Sequence, residues 1–319
     1  MFRGATMREA VERAFRPATG PRTIGLELEM HVRPIARRHA GRDEDPARYR
    51  GVQHGIPVMP PGLEARGHPT LEPGGQLELS LPPQRSVAAL LREVDWCLGS
   101  MGTTRELALT GVDPWRTLQQ VPLAVRTPRY LAMQELFDRH GDSGRRMMRL
   151  TASLQVCVDL LPGPAGLEQW LVANLAGPSL VAAQGGSRAR TRIWQGLDPI
   201  RTGYDGRHLD VGDPVGAYRA FAEAAERLTI AEASDDSYHL NTLFPPVRPR
   251  GGYLELRFLD SQRPTSELLG SIWSLMYDAS LRRRALDLLL PTLPTYWHQW
   301  ETADPTPLLE LLGAKRVAA

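Results

Sequence analysis

The chain has 319 residues, with 38 basic and 36 acidic side chains and a formal charge of +2. A hydrophobic content of 42% supports a packed core of one large or two small domains and excludes wholesale disorder. The positive charge is almost all arginine. The only lysine is Lys315, which leaves no P-loop lysine, no kinase-type lysine and no interior Schiff base. Any phosphate chemistry therefore falls to arginines, backbone amides and metal ions.

The basic residues are dispersed and matched by acids, so a nucleic-acid partner is not expected. The N-terminal stretch MFRGATMREAVERAFRP is amphipathic and lacks the apolar core of a secretory signal, and no apolar run reaches bilayer length. Two cysteines, Cys97 and Cys157, are too few for a disulfide framework or a structural zinc site. The expectation is a cytoplasmic protein that acts on small molecules, with no membrane partner.

In chain order, residues 6–16 carry apolar positions at helical spacing. Thr23–Val32 alternates as a strand. Residues 37–67 read as a long loop or hairpin rich in Arg, Gly, Pro and His. Gly75–Leu81 alternates again and is closed by Pro82-Pro83. Residues 86–101 form an amphipathic helix, Leu107–Val112 a short strand, and Pro128–His140 a helix with Gly141 as its C-cap. Thr151–Asp159 is a strand, and 166–184 and Asp213–Arg227 are helices. The Pro-Arg run at 245–250 reads as a rigid turn before the strand Tyr253–Phe258. Residues 265–289 form one long helix or a broken pair, and the tail from Pro291 is Pro-rich and then helical. With no repeat, no linker and no regular βα alternation, the pattern is a single α+β domain over 1–319.

Side chains alternate across a strand. Ile24, Leu26, Leu28 and Met30 therefore share one face, and Gly25, Glu27, Glu29 and His31 the other. Likewise Leu77 and Leu79 oppose Gln76, Glu78 and Ser80. Leu154, Val156 and Val158 oppose Ser153, Gln155, Cys157 and Asp159, and Leu254, Leu256 and Phe258 oppose Tyr253, Glu255 and Arg257. Each strand taken alone suits a solvated outer face. Together they collect carboxylates and amides that repel unless a cation lies between them, and hard divalent ions favour such oxygen ligands. The joint pattern points to a metal-lined cup. His31 shares the Glu27/Glu29 face. His54 reads as a ligand or, more commonly, a solvated or core histidine, His239 as a brace for its turn, and Arg188, Arg190 and Arg192 as either a solvated face or a phosphate grip beside Trp194.

Several collinear motifs between about residues 22 and 262 resemble the glutamate–cysteine ligases, in particular the bacterial ergothioneine-pathway type in a shortened form. They are Gly25-Leu-Glu-Leu-Glu29, Glu72-Pro-Gly-Gly-Gln-Leu-Glu-Leu-Ser80, Thr151-Ala-Ser-Leu-Gln-Val, Trp194 with Asp198-Pro-Ile-Arg-Thr-Gly203, Tyr238-His-Leu-Asn, and Leu254-Glu-Leu-Arg-Phe-Leu-Asp260. Residues 263–319 form a helical C-terminal part. The resemblance implies a glutamine-synthetase-like curved antiparallel sheet with helices on its convex face. It also implies ATP-dependent activation of the γ-carboxyl of glutamate as an acyl phosphate, attacked by the amine of cysteine or of another acceptor.

By the same resemblance, Glu27, Glu29, Glu72, Glu78 and Glu255 would hold Mg²⁺. Gln76, Gln155 and Trp194 would lie beside the cofactor ATP, and Arg257, Arg201 and Arg190 would neutralise carboxylate or phosphate. Relatives usually carry Asn at the position of Cys157, a Trp near Gly186, and a longer segment before the Tyr-His-Leu motif. Those departures leave open a changed amine, a non-catalytic homologue that binds a nucleotide or a partner, and an oligomer or partner protein that completes the site.

Overall fold

The computed structural model describes residues 6–34, 62–101, 105–185 and 188–313. The loop expected over 37–67 lies mostly outside these residues, as do His54 and the Gly186-Ser187 departure.

One seven-stranded antiparallel sheet organises the chain. Its strands are β1 (Ile24–Pro34), β2 (His68–Leu71), β3 (Leu77–Gln84), β4 (Arg105–Ala108), β5 (Ser153–Asp159), β6 (Val247–Pro249) and β7 (Tyr253–Asp260). The order is β2-β3-β1-β5-β7-β6, with β4 pairing the far end of β1. The aliphatic faces read from the sequence are the core faces: Ile24, Leu26, Leu28, Leu79, Leu154, Val156, Leu254 and Leu256 are all buried. Against them pack α2 (Val87–Met101) and α5 (Pro164–Ala183), backed by α10 (Ser266–Tyr277) and α11 (Ala279–Leu289). The expected α+β arrangement, an antiparallel sheet with helices on its apolar face, is the one observed.

Helix α5 is apolar nearly all round because it is enclosed by the sheet and the C-terminal helices. A Cβ at its Gly177 would lie 2.8 Å from the Trp300 ring, so glycine sets how closely the C-terminal part approaches. The 265–289 segment is a broken pair. Asp278 ends α10, and its carboxylate accepts the Leu281 amide as the N-cap of α11.

The opposite, polar face of the sheet is covered by a second layer. It consists of α3 (Pro128–Asp138), α4 (Ser143–Leu150), α6 (Ala189–Gln195) and the chain around Phe244. Pro128 starts α3, as the sequence suggested, with Thr127 as its N-cap, while the helix ends at Asp138 and Gly141 follows at φ 103° rather than capping it directly. Helices α4 and α6, and the single turn α7 (Pro199–Thr202), were not legible, being short and rich in arginine. Helix α1 (Met7–Ala14), with a Thr6/Glu9 capping box, packs on α8 (Pro214–Ala224) and α9 (Asp236–Leu240).

Two sequence expectations are corrected by the ladders. Strand β3 does not stop at Pro82 but runs to Gln84. Leu26 pairs with Leu81 and Ile24 with Gln84, so Pro82 and Pro83 share a bulge opposite Gly25. There the missing proline N–H groups cost no regular ladder bond. The Pro-Arg run is not only a turn, because Val247–Pro249 forms the edge strand β6 on β7.

Candidate active site

Cross-strand register builds the polar face in rows. Glu27 pairs with Ser80 on one side and Gln155 on the other, and Glu29 pairs with Glu78. Gly25, Cys157, Glu255 and Arg248 form a third row across β1, β5, β7 and β6. Leu259 pairs with Leu154 and Leu256 with Val156, so Arg257 and Phe258 together oppose Gln155. This bulge lets Arg257 face the polar side while Phe258 stays in the core.

Between the sheet and the α3/α4/α6 layer lies a cavity of about 240 Å³. Its walls include Glu27, Glu29, Glu72, Glu78, Gln155 and Glu255 from the sequence-derived set, with Arg257, Trp194 and Gln76. Met133, Met147, Met148 and Phe244 close it on the helical side.

The acidic end is a triad. Carboxylate oxygens of Glu29, Glu72 and Glu78 all lie within 4.8 Å of one another. Glu29 is held by the Ser153 amide at 2.7 Å and the Gln155 amide nitrogen at 2.9 Å, and Glu78 accepts the Thr70 hydroxyl at 2.9 Å. Glu72 stands on a tight turn. Its N–H donates to the Gln76 carbonyl and its carbonyl accepts from Gly75, which has φ 85°. A Cβ at Gly74 would lie 2.4 Å from the Arg149 carbonyl oxygen, so only glycine lets this turn seat against α4.

Burial raises all three carboxyl groups. Glu72 is raised well above its ordinary value by burial and then by Glu29 and Glu78, and Glu78 by burial and then by Glu29. Among the described residues, no arginine, lysine or histidine forms an ion pair with the triad. Three clustered carboxylates without a counterion suit a hard divalent cation, so the donor set fits Mg²⁺. Glu27 stands between the two ends of the cavity. Burial, then Glu255 and Glu78, push it up to about 7.

The other end is basic. Arg248 forks Glu255 with Nε–Oε2 at 2.8 Å and Nη2–Oε1 at 3.0 Å, and Arg250 and Arg257 approach within 3.8 and 3.9 Å. Burial works to raise Glu255, but Arg248 and Arg257 outweigh it and hold the carboxyl near 2. Glu255 was expected to be a metal ligand without a protein partner. The structure instead gives it three guanidinium neighbours, because β6 exists as a strand and sets Arg248 opposite it. Arg257 keeps Nε and Nη1 buried without a hydrogen bond, and its guanidinium lies 5.7 Å from the Phe244 ring.

Three further expected contacts fall elsewhere. Gln76 lines the cavity, but its amide is engaged by the chain itself: it accepts from Gly74 at 2.9 Å and donates to the Thr151 carbonyl at 2.8 Å. Arg190 is buried behind the site. It donates to the carbonyls of Arg257 (2.8 Å) and Phe258 (3.1 Å), gripping the bulge, and lies 5.1 Å from the Trp194 ring. Arg201 bonds Thr242 at 2.8 and 2.9 Å and the Glu226 carbonyl, bracing the chain that brings Phe244 to the cavity. Neither lines the cavity, because both are used to satisfy buried carbonyls.

His31 is fully buried beside Asp113 rather than in the cup. His239 bonds the Ala222 carbonyl at 3.0 Å and braces α9. The Cys157 thiol is half-buried and raised well above its ordinary range, first by burial and then by Glu255 and Glu27. Sequence reasoning missed Arg129, Tyr130, Arg248 and Arg250. The period-2 spacing of Val247-Arg248-Pro249-Arg250 was the available signal for the last two.

Residues 23–303 match the glutamate-cysteine ligase family 2 (GCS2), and the chain belongs to that family. It is similar to the glutamate–cysteine ligase EgtA of Mycolicibacterium smegmatis, at 30% identity over 75% of this chain and 64% of that protein. EgtA of Mycobacterium tuberculosis matches at 28% with the same coverage, so the chain spans about two thirds of the length of these relatives. A crystal structure of a glutamate–cysteine ligase from Francisella tularensis in complex with AMP covers 93% of this chain and 78% of its own, at 13% identity and a TM-score of 0.48.

Among the described residues, no helix is long and apolar enough to cross a membrane.

Proposed function

We propose that the chain is an ATP- and Mg²⁺-dependent ligase. It would phosphorylate the γ-carboxylate of L-glutamate and transfer the acyl group to the amine of L-cysteine, giving γ-glutamylcysteine for an ergothioneine-type pathway. The observation that carries this reading is the polarity of the cavity. A carboxylate triad with no ion-pair partner among the described residues stands at one end, and three arginines share a single carboxylate at the other.

In this reading Glu29, Glu72 and Glu78 hold Mg²⁺, with Glu27 beside them. The ion supplies charge neutralisation for phosphate oxygens. Arg257 has unsatisfied donors and offers a planar fork to a carboxylate or phosphoryl oxygen. Arg190 acts through Arg257 by holding the β7 bulge. Met133, Met147, Met148, Phe244 and Trp194 form a dry wall, which an acyl phosphate needs in order to meet the amine before water.

Cys157, beside Glu255 in the sheet, favours a second reading in which the same chemistry serves a different amine. Phosphate release from ATP with Mg²⁺ and glutamate, measured against a panel of amines with product masses, tests both. Cysteine-dependent release with a γ-glutamylcysteine mass supports the first, and release with another amine the second. Absence of release with every amine overturns the ligase assignment.

A further inference from the structure

A second cleft, of about 520 Å³, opens on the surface beside the cavity. Arg13 and Arg16 line it from the end of α1, Ser237 and Asn241 from α9 and its C-cap, and Arg250 from the β6–β7 hairpin. Arg250 lines both the cleft and the active cavity, so the two spaces share a wall. Among the described residues lining the cleft there is no aspartate or glutamate.

This arrangement is built into the backbone. The hairpin turns through Gly251 (φ 68°) and Gly252 (φ 104°), the two-residue turn that needs positive φ at both positions. Each glycine N–H leaves the hairpin to bond the last residue of α1 or the segment just after it. Gly251 donates to the Ala14 carbonyl at 2.7 Å and Gly252 to the Arg16 carbonyl at 2.8 Å. The Gly252 carbonyl accepts from Leu160, whose own carbonyl accepts from Ala18. A Cβ at Gly251 would lie 3.0 Å from the Arg13 carbonyl oxygen, so the approach is as close as glycine allows. Side chains are seated as well: Arg13 donates to the Ser237 hydroxyl at 2.7 Å, and Arg250 bonds Asn241. Three guanidinium groups from two distant chain segments are thus brought to one wall. Helix-dipole compensation at the end of α1 accounts for Arg13 alone.

We infer that this cleft is an oxyanion subsite at the mouth of the active cavity, in which Arg13, Arg16 and Arg250 bind the anionic group of a co-substrate whose other end enters the cavity past Arg250. The inference rests on the ligase reading for its partners. Two co-substrates carry the required chemistry: the carboxylate of an amino-acid acceptor and a phosphate of the nucleotide.

The test uses the full chain and the variants Arg16→Ala and Arg13→Ala. Arg16 is exposed, so its variant should retain the melting temperature of the wild type. Each should raise the KM of one co-substrate about tenfold, the loss typical of one charge-assisted contact, with glutamate KM and kcat changing less than twofold. A rise with cysteine but not with cysteamine, which lacks the carboxylate, assigns the subsite to the acceptor. A rise in the KM of ATP with both amines assigns it to the nucleotide. Unchanged KM values for both co-substrates overturn the subsite.

Calorimetric titration of cysteine and of ATP into the wild type and Arg16→Ala gives a readout that needs no turnover. If the wild type turns over no amine but binds one of these ligands tenfold more tightly than Arg16→Ala, the subsite stands and the ligase reading fails. Equal binding to both proteins overturns the subsite alone.

Discussion

Glu29 and Glu78 are register partners across the β1–β3 ladder, two carboxylates set directly opposite one another on the same face of the sheet. Like charges so placed destabilise a sheet. Glu72 adds a third carboxylate oxygen within 4.8 Å. Among the described residues no basic side chain forms an ion pair with Glu72, so the repulsion within the triad is one that a divalent cation would relieve.

Glu72→Gln should therefore have two opposite effects. Glu72 has a raised carboxyl in the folded chain, so its contribution is favourable below the ordinary carboxylate range and is lost as pH rises through the folded value. At pH 8 without metal, replacing the carboxyl by an amide should therefore stabilise the protein. With Mg²⁺ the order should reverse: the wild type should gain melting temperature and the variant should not. Thermal melts with and without Mg²⁺ read both effects. A variant still stabilised as strongly by Mg²⁺ would remove Glu72 from the metal site.

At the basic end the sign differs. Arg248 and Glu255 form a two-point buried ion pair, with side chains 11% and 4% exposed. Arg248→Met should cost about 3 kcal/mol, because removing one partner leaves the other charge buried. Adding Glu255→Gln should recover much of that loss. Denaturant melts of the two singles and the double give the coupling directly. Additive losses would mean that the pair contributes independent packing instead.

Much of this was legible in the sequence, for a definite reason. Clean alternation in β1, β3, β5 and β7 separates an aliphatic face from a polar one, and period 2 fixes which residues can meet. It placed Glu27, Glu29, Glu78, Gln155, Glu255 and Arg257 around one cavity. Alternation does not show what lies across from a strand. Glu255 looked unpaired because a Pro-Arg run carries no ordinary strand signal, yet β6 is the edge strand that supplies Arg248. Arg190 and Arg201 looked like anion grips because burial is invisible in a short basic segment, and the structure spends them on backbone carbonyls. Tyr130 and Arg129 reach the cavity from the first turn of α3, where capping marks the start of the helix but not which way it faces.

Arg257→Lys tests whether geometry or charge matters at the bulge. A lysine preserves the positive charge near Glu255 but offers no planar fork. The affinity for glutamate should fall by about 10- to 100-fold, the equivalent of one or two lost charge-assisted bonds. Calorimetric titration with glutamate measures it. Unchanged affinity would show that Arg257 serves only as a charge.

His31 makes the last prediction, away from the cavity. It is fully buried beside Asp113, whose carboxylate is already engaged by Arg116 and by the amides of Trp115 and Arg116. Burial lowers the imidazole from 6.5 to about 4, against the raising effect of Asp113. A depressed value in the folded chain means that the unfolded chain binds the proton first. The His31 contribution is thus fully present above pH 6.5 and is lost as pH falls toward 4. Across that window it should add a slope of up to one proton, about 1.4 kcal/mol per pH unit. In His31→Leu this part of the slope should vanish while the carboxylate contributions remain, so the difference between the two stability curves isolates the histidine. Parallel curves from pH 4 to pH 6.5 would mean that His31 takes up its proton in the folded chain as readily as in the unfolded one, and that burial does not hold it neutral.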